Sequence, residues 1–242
     1  MGLFGFSAGI SVFTFAARKI KKIDKMTKVG VDSVNKRVQF TLVSSLIAVS
    51  MNVVGASFEE LKEADLKVEL IRKNSANVTL AETTLGTYKD IMTTFFPNLK
   101  EFQVLFALNE NLILSENAKV QVTLDWSKTE ANVTDFGYVE NREYDETGEP
   151  LVLKKVLVNG DVDVSSENFP MLLFSDKVKR VESSKLVKNQ YGEFESKKEE
   201  YTYDYMFSIA PNKSKFVGLT ADNGQVFRVS TNGPAEVYLI NV

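Results

Sequence analysis

The sequence predicts a mainly β protein: two jelly-roll β-sandwiches, a double jelly roll, behind a basic and partly helical N-terminal arm. Three observations carry this. Most of the chain is a succession of short segments in which apolar and polar residues alternate, separated by turn signals such as Asn-Gly. A polar, acidic stretch divides that body into two parts, each long enough for one eight-stranded roll. Charge is segregated along the chain. Residues 1–40 hold eight basic and two acidic side chains, a balance of +6, and the rest carries 21 basic against 30 acidic, a balance of −9. The division that follows is an apolar and basic arm (1–37), a first roll (38–126), an acidic linker (127–149) and a second roll (150–242).

The arm opens with an apolar stretch from Gly2 to Ala17. Its positive charges follow the apolar run, which is the reverse of a secretory signal. It is also shorter than the ~20 apolar residues of a membrane span. Phe6 stands where an N-myristoylation motif needs Ser or Thr. The composition suits a segment lying against a membrane surface. Phe4, Phe6, Phe13 and Phe15 would enter the acyl boundary, with Arg18, Lys19, Lys21, Lys22, Lys25 and Lys28 on the headgroups. The alternative is an arm clamped under a neighbouring subunit. Residues 18–37 read as helical, with Ile20, Ile23, Val31 and Val34 between lysines and Gly30 weakening the middle.

Val38 to Val54 is a second apolar run, interrupted by Gln39, Thr41, Ser44, Ser45, Ser50 and Asn52. It reads as one or two buried strands, with a membrane anchor as the alternative. Ser57 and Glu60 form a capping-box pattern that opens a helical turn. Leu66 to Ile71 alternates as a strand, and Val78 to Leu80 begins another. Gly86 to Phe96 reads as a helix stopped by Pro97. Phe102 to Leu108, Leu112 to Leu114 and Lys119 to Trp126 complete the first part.

In the second part, Leu151 to Val158 reads as a strand, and Asn159-Gly160 as a hairpin turn into the alternating Asp161 to Val164. Phe169 to Phe174 is short and apolar. Lys185 to Glu200 reads as a charged surface loop around Tyr191-Gly192. Tyr201, Tyr203 and Tyr205 alternate like a strand. Phe216 to Leu219, Val226 to Val229 and Ala235 to Ile240 read as three closing strands, with Asn-Gly pairs between them.

The chain has no Cys and no His. That excludes disulfides, Ser-His-Asp and Cys-His catalysis, and zinc or haem sites built on those ligands. Phosphate loops, dinucleotide fingerprints and nucleophile elbows are also missing. The string Asp161-Val-Asp163-Val-Ser165-Ser-Glu167 has oxygen ligands at alternate positions, as calcium would need, yet it reads more simply as a strand with its acids outward. Glu140, Glu143, Asp145, Glu146 and Glu149 could hide a carboxylate pair, but they read as a solvated face. The expectation is no enzyme, no catalytic residues, no cofactor and no metal. Trp126, at a strand end, reads as core or rim.

Two segments carry a family likeness. Leu66 to Arg72, a polar loop, then Thr84 to Met92 with its Tyr88-Lys89 pair resembles the first roll of a known coat-protein family. The ending Val226 to Val242 is compatible with it. The family is the double jelly-roll major capsid proteins of membrane-containing icosahedral bacteriophages, corticovirus-like and tectivirus-like. The resemblance implies a structural protein of the virion that forms trimeric capsomers with a pseudo-sixfold outline. It also implies an icosahedral shell in which the first residues face an internal membrane or the genome. The partners expected are further copies of the chain, other virion proteins and lipid, with nucleic acid the weaker candidate. Two other classes compete: a membrane-anchored β-sandwich adhesion protein, and a carboxylate-dependent glycoside hydrolase.

Overall fold

From Leu66 to Leu70, each apolar side chain is buried and the Lys and Glu between them are only partly covered. That period of two is a half-buried strand, and it recurs along the chain. The computed structural model describes residues 21–22, 25–43, 46–73, 75–107, 111–112, 114, 118–142, 147–148, 150–188, 190–210 and 214–241.

The first half comprises β1 (Lys21–Lys22), β2 (Thr27–Val29), β3 (Arg37–Leu42), β4 (Ala48–Val54), α1 (Phe58–Leu61), β5 (Asp65–Arg72) and β6 (Val78–Thr84). It continues with α2 (Leu85–Phe95), β7 (Gln103–Leu105), β8 (Asn111–Leu112), β9 (Ala118–Asp125), β10 (Asp135–Arg142) and β11 (Thr147–Gly148). The second half comprises β12 (Leu153–Val158), β13 (Asp161–Ser165), β14 (Met171–Ser175), β15 (Val178–Lys188) and β16 (Phe194–Thr202). It ends with α3 (Tyr203–Ile209), β17 (Phe216–Thr220), β18 (Val226–Thr231) and β19 (Ala235–Ile240).

Among the described residues the strands form four antiparallel sheets, two per half, and one short parallel pair of β8 and β11. In the first half, β10 lies between β4 and the pair β1 and β2, and β7 flanks β4. The facing sheet has the order β3-β9-β5-β6. In the second half the orders are β12-β19-β14-β17 and β13-β18-β15-β16. The winding is the same in both: from β2 to β10 and from β12 to β19 the chain changes sheet at each step between these strands, except at the hairpins β5–β6 and β15–β16, and β1 shares the sheet of β2. One helix follows each hairpin. Thr84 caps α2 by accepting from Thr87 N, and Thr202 caps α3 by accepting from Tyr205 N. The protein is thus mainly β and consists of two jelly-roll sandwiches.

The connections of the first roll that carry α1 and α2 gather at one end with the turns at 30–36 and 126–134. Backbone bonds tie Trp126 N to Lys36 O, Thr134 N to Val54 O and Gly86 N to Lys62 O. Gly55 turns the chain there with φ +93°, and a Cβ on it would lie 2.5 Å from Asn132 O. Gly55→Ala is therefore expected to cost about 1–3 kcal/mol, measured by urea unfolding.

The rolls lie side by side with the same polarity. At the end away from the helices, Leu151 N donates to Phe106 O at 2.8 Å. At the helix end, Ser214 Oγ donates to Asp90 O at 2.6 Å. The sheet containing β14 and β19 is buried on both faces. Leu172, Phe174, Val237 and Leu239 fill the second roll's own core, while Leu173, Phe216, Tyr238 and Ile240 join the core of the first roll. This double burial explains the unbroken apolar runs Met171–Phe174 and Val237–Ile240.

The structure corrects several expectations. The stretch 127–149 contains β10, a central strand, so it is not simply a linker. Phe136 and Tyr138 alternate inward and pack on Phe40, and this outweighs the acidic composition. The described part of 18–37 is not helical: β1 and β2 pair with β10, and the β-branched Thr27 and Val29 suit that edge. In the second apolar run, 38–42 belong to β3 and Ala48–Val54 form β4, in opposite sheets. No described helix is long and apolar enough to cross a membrane. Lys185 to Glu200 is a long hairpin rather than a loop, because cross-strand pairing satisfies its backbone. Tyr203 and Tyr205 lie in α3, since the Thr202 cap overrides the short alternation. Asn159-Gly160 turns the chain between two sheets, so it does not close a hairpin.

Candidate assembly surfaces

The junction between the rolls is built around α2 and β6. Tyr88 comes from the inner face of α2, and its hydroxyl donates to Leu105 O and accepts from Leu105 N, both at 3.0 Å. Burial raises its pKa well above the ordinary phenol value. Lys89 donates to Leu99 O and holds the far end of the same segment. The Tyr88-Lys89 pair is therefore a brace between helix and strand.

Across the junction, the hydroxyls of Tyr238 and Thr83 share a hydrogen bond of 2.9 Å. Tyr238 also donates to Glu236 Oε2 at 2.5 Å and meets the Phe216 ring edge-on at 5.6 Å. Burial, then the bond to the Glu236 carboxylate, raises its pKa. Lys215 pairs with Asp90 at 3.0 Å and Lys155 with Glu236 at 3.5 Å. The gap lined by Val68, Leu80, Tyr88, Leu105, Leu151 and Leu153 is too narrow for a water molecule. This lining joins the two rolls by close apolar packing.

The residues singled out from sequence fall elsewhere. Phe4, Phe6, Phe13, Phe15, Arg18 and Lys19 lie outside the described residues. Lys21 and Lys22 form β1 beside Arg142 and Asn141, at the end of the roll opposite the helices. Lys25 is exposed just before β2. Lys28, on β2, pairs with Asp135 at 3.1 Å in solvent, and that bond holds the Asp135 pKa low. Lys21 and Lys22 thus lie beside the last residues of β10, and Lys28 beside Gly137 nearer its start.

Asp161 and Asp163 face outward on β13 while Val164 is buried, and Arg228 lies 3.8 Å from Asp161. No group of three or more acidic residues is placed to hold a metal among the described residues. Glu140 lies on β10, and Glu143, Asp145, Glu146 and Glu149 lie outside the described residues. Trp126 is a core residue, fully buried at the end of β9.

Several large apolar side chains are exposed, and sequence reasoning did not single them out as an assembly surface: among them Val34, Val43, Leu157 and Tyr191 are the most open. Tyr205 and Ile209 on α3 are 51% and 41% exposed, and Met26 and Val54 on the first roll are 46% and 45% exposed. The signal for the first pair was the capping Thr202, which turns an apparent strand into an amphipathic helix.

No family model and no curated protein matches the chain. Among solved structures it is similar to the crystal structure of the STIV MCP. That match has 6% identity and a TM-score of 0.46, and covers 92% of this chain and 95% of the other. It is also similar to a chain in the atomic structure of Sulfolobus Turreted Icosahedral Virus. There the identity is 8% and the TM-score 0.47, covering 93% of this chain and 89% of that one.

Proposed function

We propose that this chain is a major capsid protein, a non-enzymatic shell subunit of a membrane-containing icosahedral virus. The observation that carries this is the welded pair of rolls. Two sandwiches of identical winding stand side by side with one shared polarity, joined by a sheet buried on both faces. A shell subunit needs such a stiff body with two distinct ends, one for each side of the shell. Three chains supply six rolls, which is the number for a pseudo-sixfold capsomer. The subunit works in the virion, with further copies, other virion proteins and lipid as partners.

The chain enters the body through β1, at the end opposite the helices, and on this reading that end faces the interior. Phe4, Phe6, Phe13 and Phe15 enter the inner membrane, while Arg18, Lys19, Lys21, Lys22 and Lys25 hold anionic headgroups. Each basic side chain near the surface contributes about 1 kcal/mol. Lys28 is a brace to Asp135 in this arrangement.

Native mass spectrometry and electron microscopy of the purified protein are expected to show trimers and shells. Deleting residues 1–17 should sharply reduce flotation with anionic vesicles, leaving only the salt-sensitive lysine part, and leave the trimer intact. Salt should weaken vesicle binding only in part, because screening to about 8 Å leaves the apolar term untouched. Protein that is monomeric at every concentration would overturn the capsid reading. Unchanged flotation after the deletion would overturn the lipid contact.

A further inference from the structure

We infer that Asn232 is a site of spontaneous covalent modification, at which the Gly233 amide nitrogen attacks the Asn232 side chain and converts it to aspartate and isoaspartate. The fold selects this residue from three of the same local sequence, whether or not the chain assembles.

The three Asn-Gly pairs are Asn159-Gly160, Asn223-Gly224 and Asn232-Gly233. All lie in the second roll, and each carries the chain from one of its sheets to the other: β12 to β13, β17 to β18 and β18 to β19. All three asparagines are exposed, and a Cβ on any of the three glycines would meet open space. Neither exposure nor crowding separates them.

The hydrogen bond of the glycine nitrogen does. Gly160 N donates to Thr231 Oγ1 at 3.0 Å, and Thr231 N donates back to Gly160 O at 3.0 Å. Gly224 N donates to Glu167 O at 2.8 Å. Its turn is fastened further by Gln225 N on Asp222 O and by Asp222 N on Gln225 Oε1, both at 3.0 Å. Gly233 N has no acceptor among the described residues. Pro234, which follows, has no N–H with which to close that turn.

The reaction consumes this nitrogen. Gly233 N loses its proton and bonds to Asn232 Cγ; the Cγ–Nδ2 bond breaks, and the amide nitrogen leaves as ammonia with the proton. Water then opens the five-membered imide. Opening at the side-chain carbonyl restores the peptide link and leaves aspartate. Opening at the main-chain carbonyl leaves isoaspartate, with one more carbon in the connection from β18 to β19. Either product adds a negative charge. A nitrogen that is already donating must first give up its bond, which slows Asn159 and Asn223 by about fivefold to tenfold.

The test incubates the full chain at about pH 8.5, where an ordinary tyrosine keeps its proton. Peptide mapping by mass spectrometry follows each asparagine, and labelling by an isoaspartyl methyltransferase marks the iso product. Asn232 should react at least about fivefold faster than Asn159 and Asn223. In concentrated urea, where the turns are lost, the three rates should converge. Thr231→Val removes the acceptor of Gly160 N and should speed Asn159 by about fivefold to tenfold while leaving Asn223 slow. Thr231→Ser keeps the hydroxyl and should leave Asn159 slow, and circular dichroism checks that both variants are folded. Equal rates in the folded protein, or Asn159 or Asn223 reacting ahead of Asn232, overturn the assignment. So does the same ranking in urea, which would place the preference in the flanking residues. A folded Thr231→Val with Asn159 unchanged overturns the protection by hydrogen bonding.

Discussion

Replacing Tyr238 with alanine is expected to lower stability by about 3–5 kcal/mol and to split thermal unfolding into two transitions. The ring is fully buried in the sheet shared by the two rolls and packs edge-on against Phe216. Its hydroxyl joins Thr83 of the first roll to Glu236 of the second. Truncation opens a cavity on the joining face, removes the partner of a buried threonine hydroxyl, and releases a carboxylate from its shortest bond. Tyr238→Phe keeps the ring and loses only the polar links, so its cost should be nearer 1–2 kcal/mol with one transition retained. Scanning calorimetry distinguishes the two. A single transition with less than about 1 kcal/mol lost in Tyr238→Ala would show that the rolls are coupled elsewhere.

How far the sequence foretold this junction depends on which interactions set each element. Leu66 to Leu70 and Val120 to Leu124 are covered on one face by their own roll, and their period of two was legible. The capping box at Ser57 and Glu60 is local, and the structure shows both of its hydrogen bonds. β14 was harder, because four consecutive buried residues have no period, and only the second covering layer explains them. β10 was lost because its evidence lay in two aromatics among acids, and their partner Phe40 is almost a hundred residues away. α3 was lost for the opposite reason: one threonine hydroxyl decided the conformation over three alternating tyrosines. The exposed pair Tyr205 and Ile209 could not be read in advance, since the two become neighbours only once the helix exists. The Tyr88-Lys89 pair was noticed as part of a family likeness, and its physical role is the brace from α2 to β7 and Leu99.

Stability should fall steeply above pH 10, and two buried phenols set the slope. Tyr88 and Tyr238 have folded pKa values raised by burial, so both keep their protons in the native state where an unfolded tyrosine ionises near pH 10. Above that pH the native state binds more protons than the unfolded state, and unfolding is favoured as pH rises. The stability linked to these groups is therefore complete below about pH 10 and is lost progressively as pH climbs toward their folded values. Each phenol contributes a slope of up to about 1.4 kcal/mol per pH unit, so the pair gives nearly 3 kcal/mol per unit. Tyr201, pushed up to about 12 by burial and by its bond to Glu199, is more exposed and adds a smaller share. Urea titrations from pH 8 to 11.5 measure the slope. Tyr88→Phe should roughly halve it, although at neutral pH it should cost about 1–3 kcal/mol, because Leu105 N–H and C=O lose their shared partner. Ultraviolet titration of the folded protein gives the independent check. The chain has eight tyrosines, and at least two should fail to ionise below the alkaline unfolding transition. A flat stability profile from pH 9 to 11, or eight phenols titrating together in the folded protein, would mean that water reaches the roll junction.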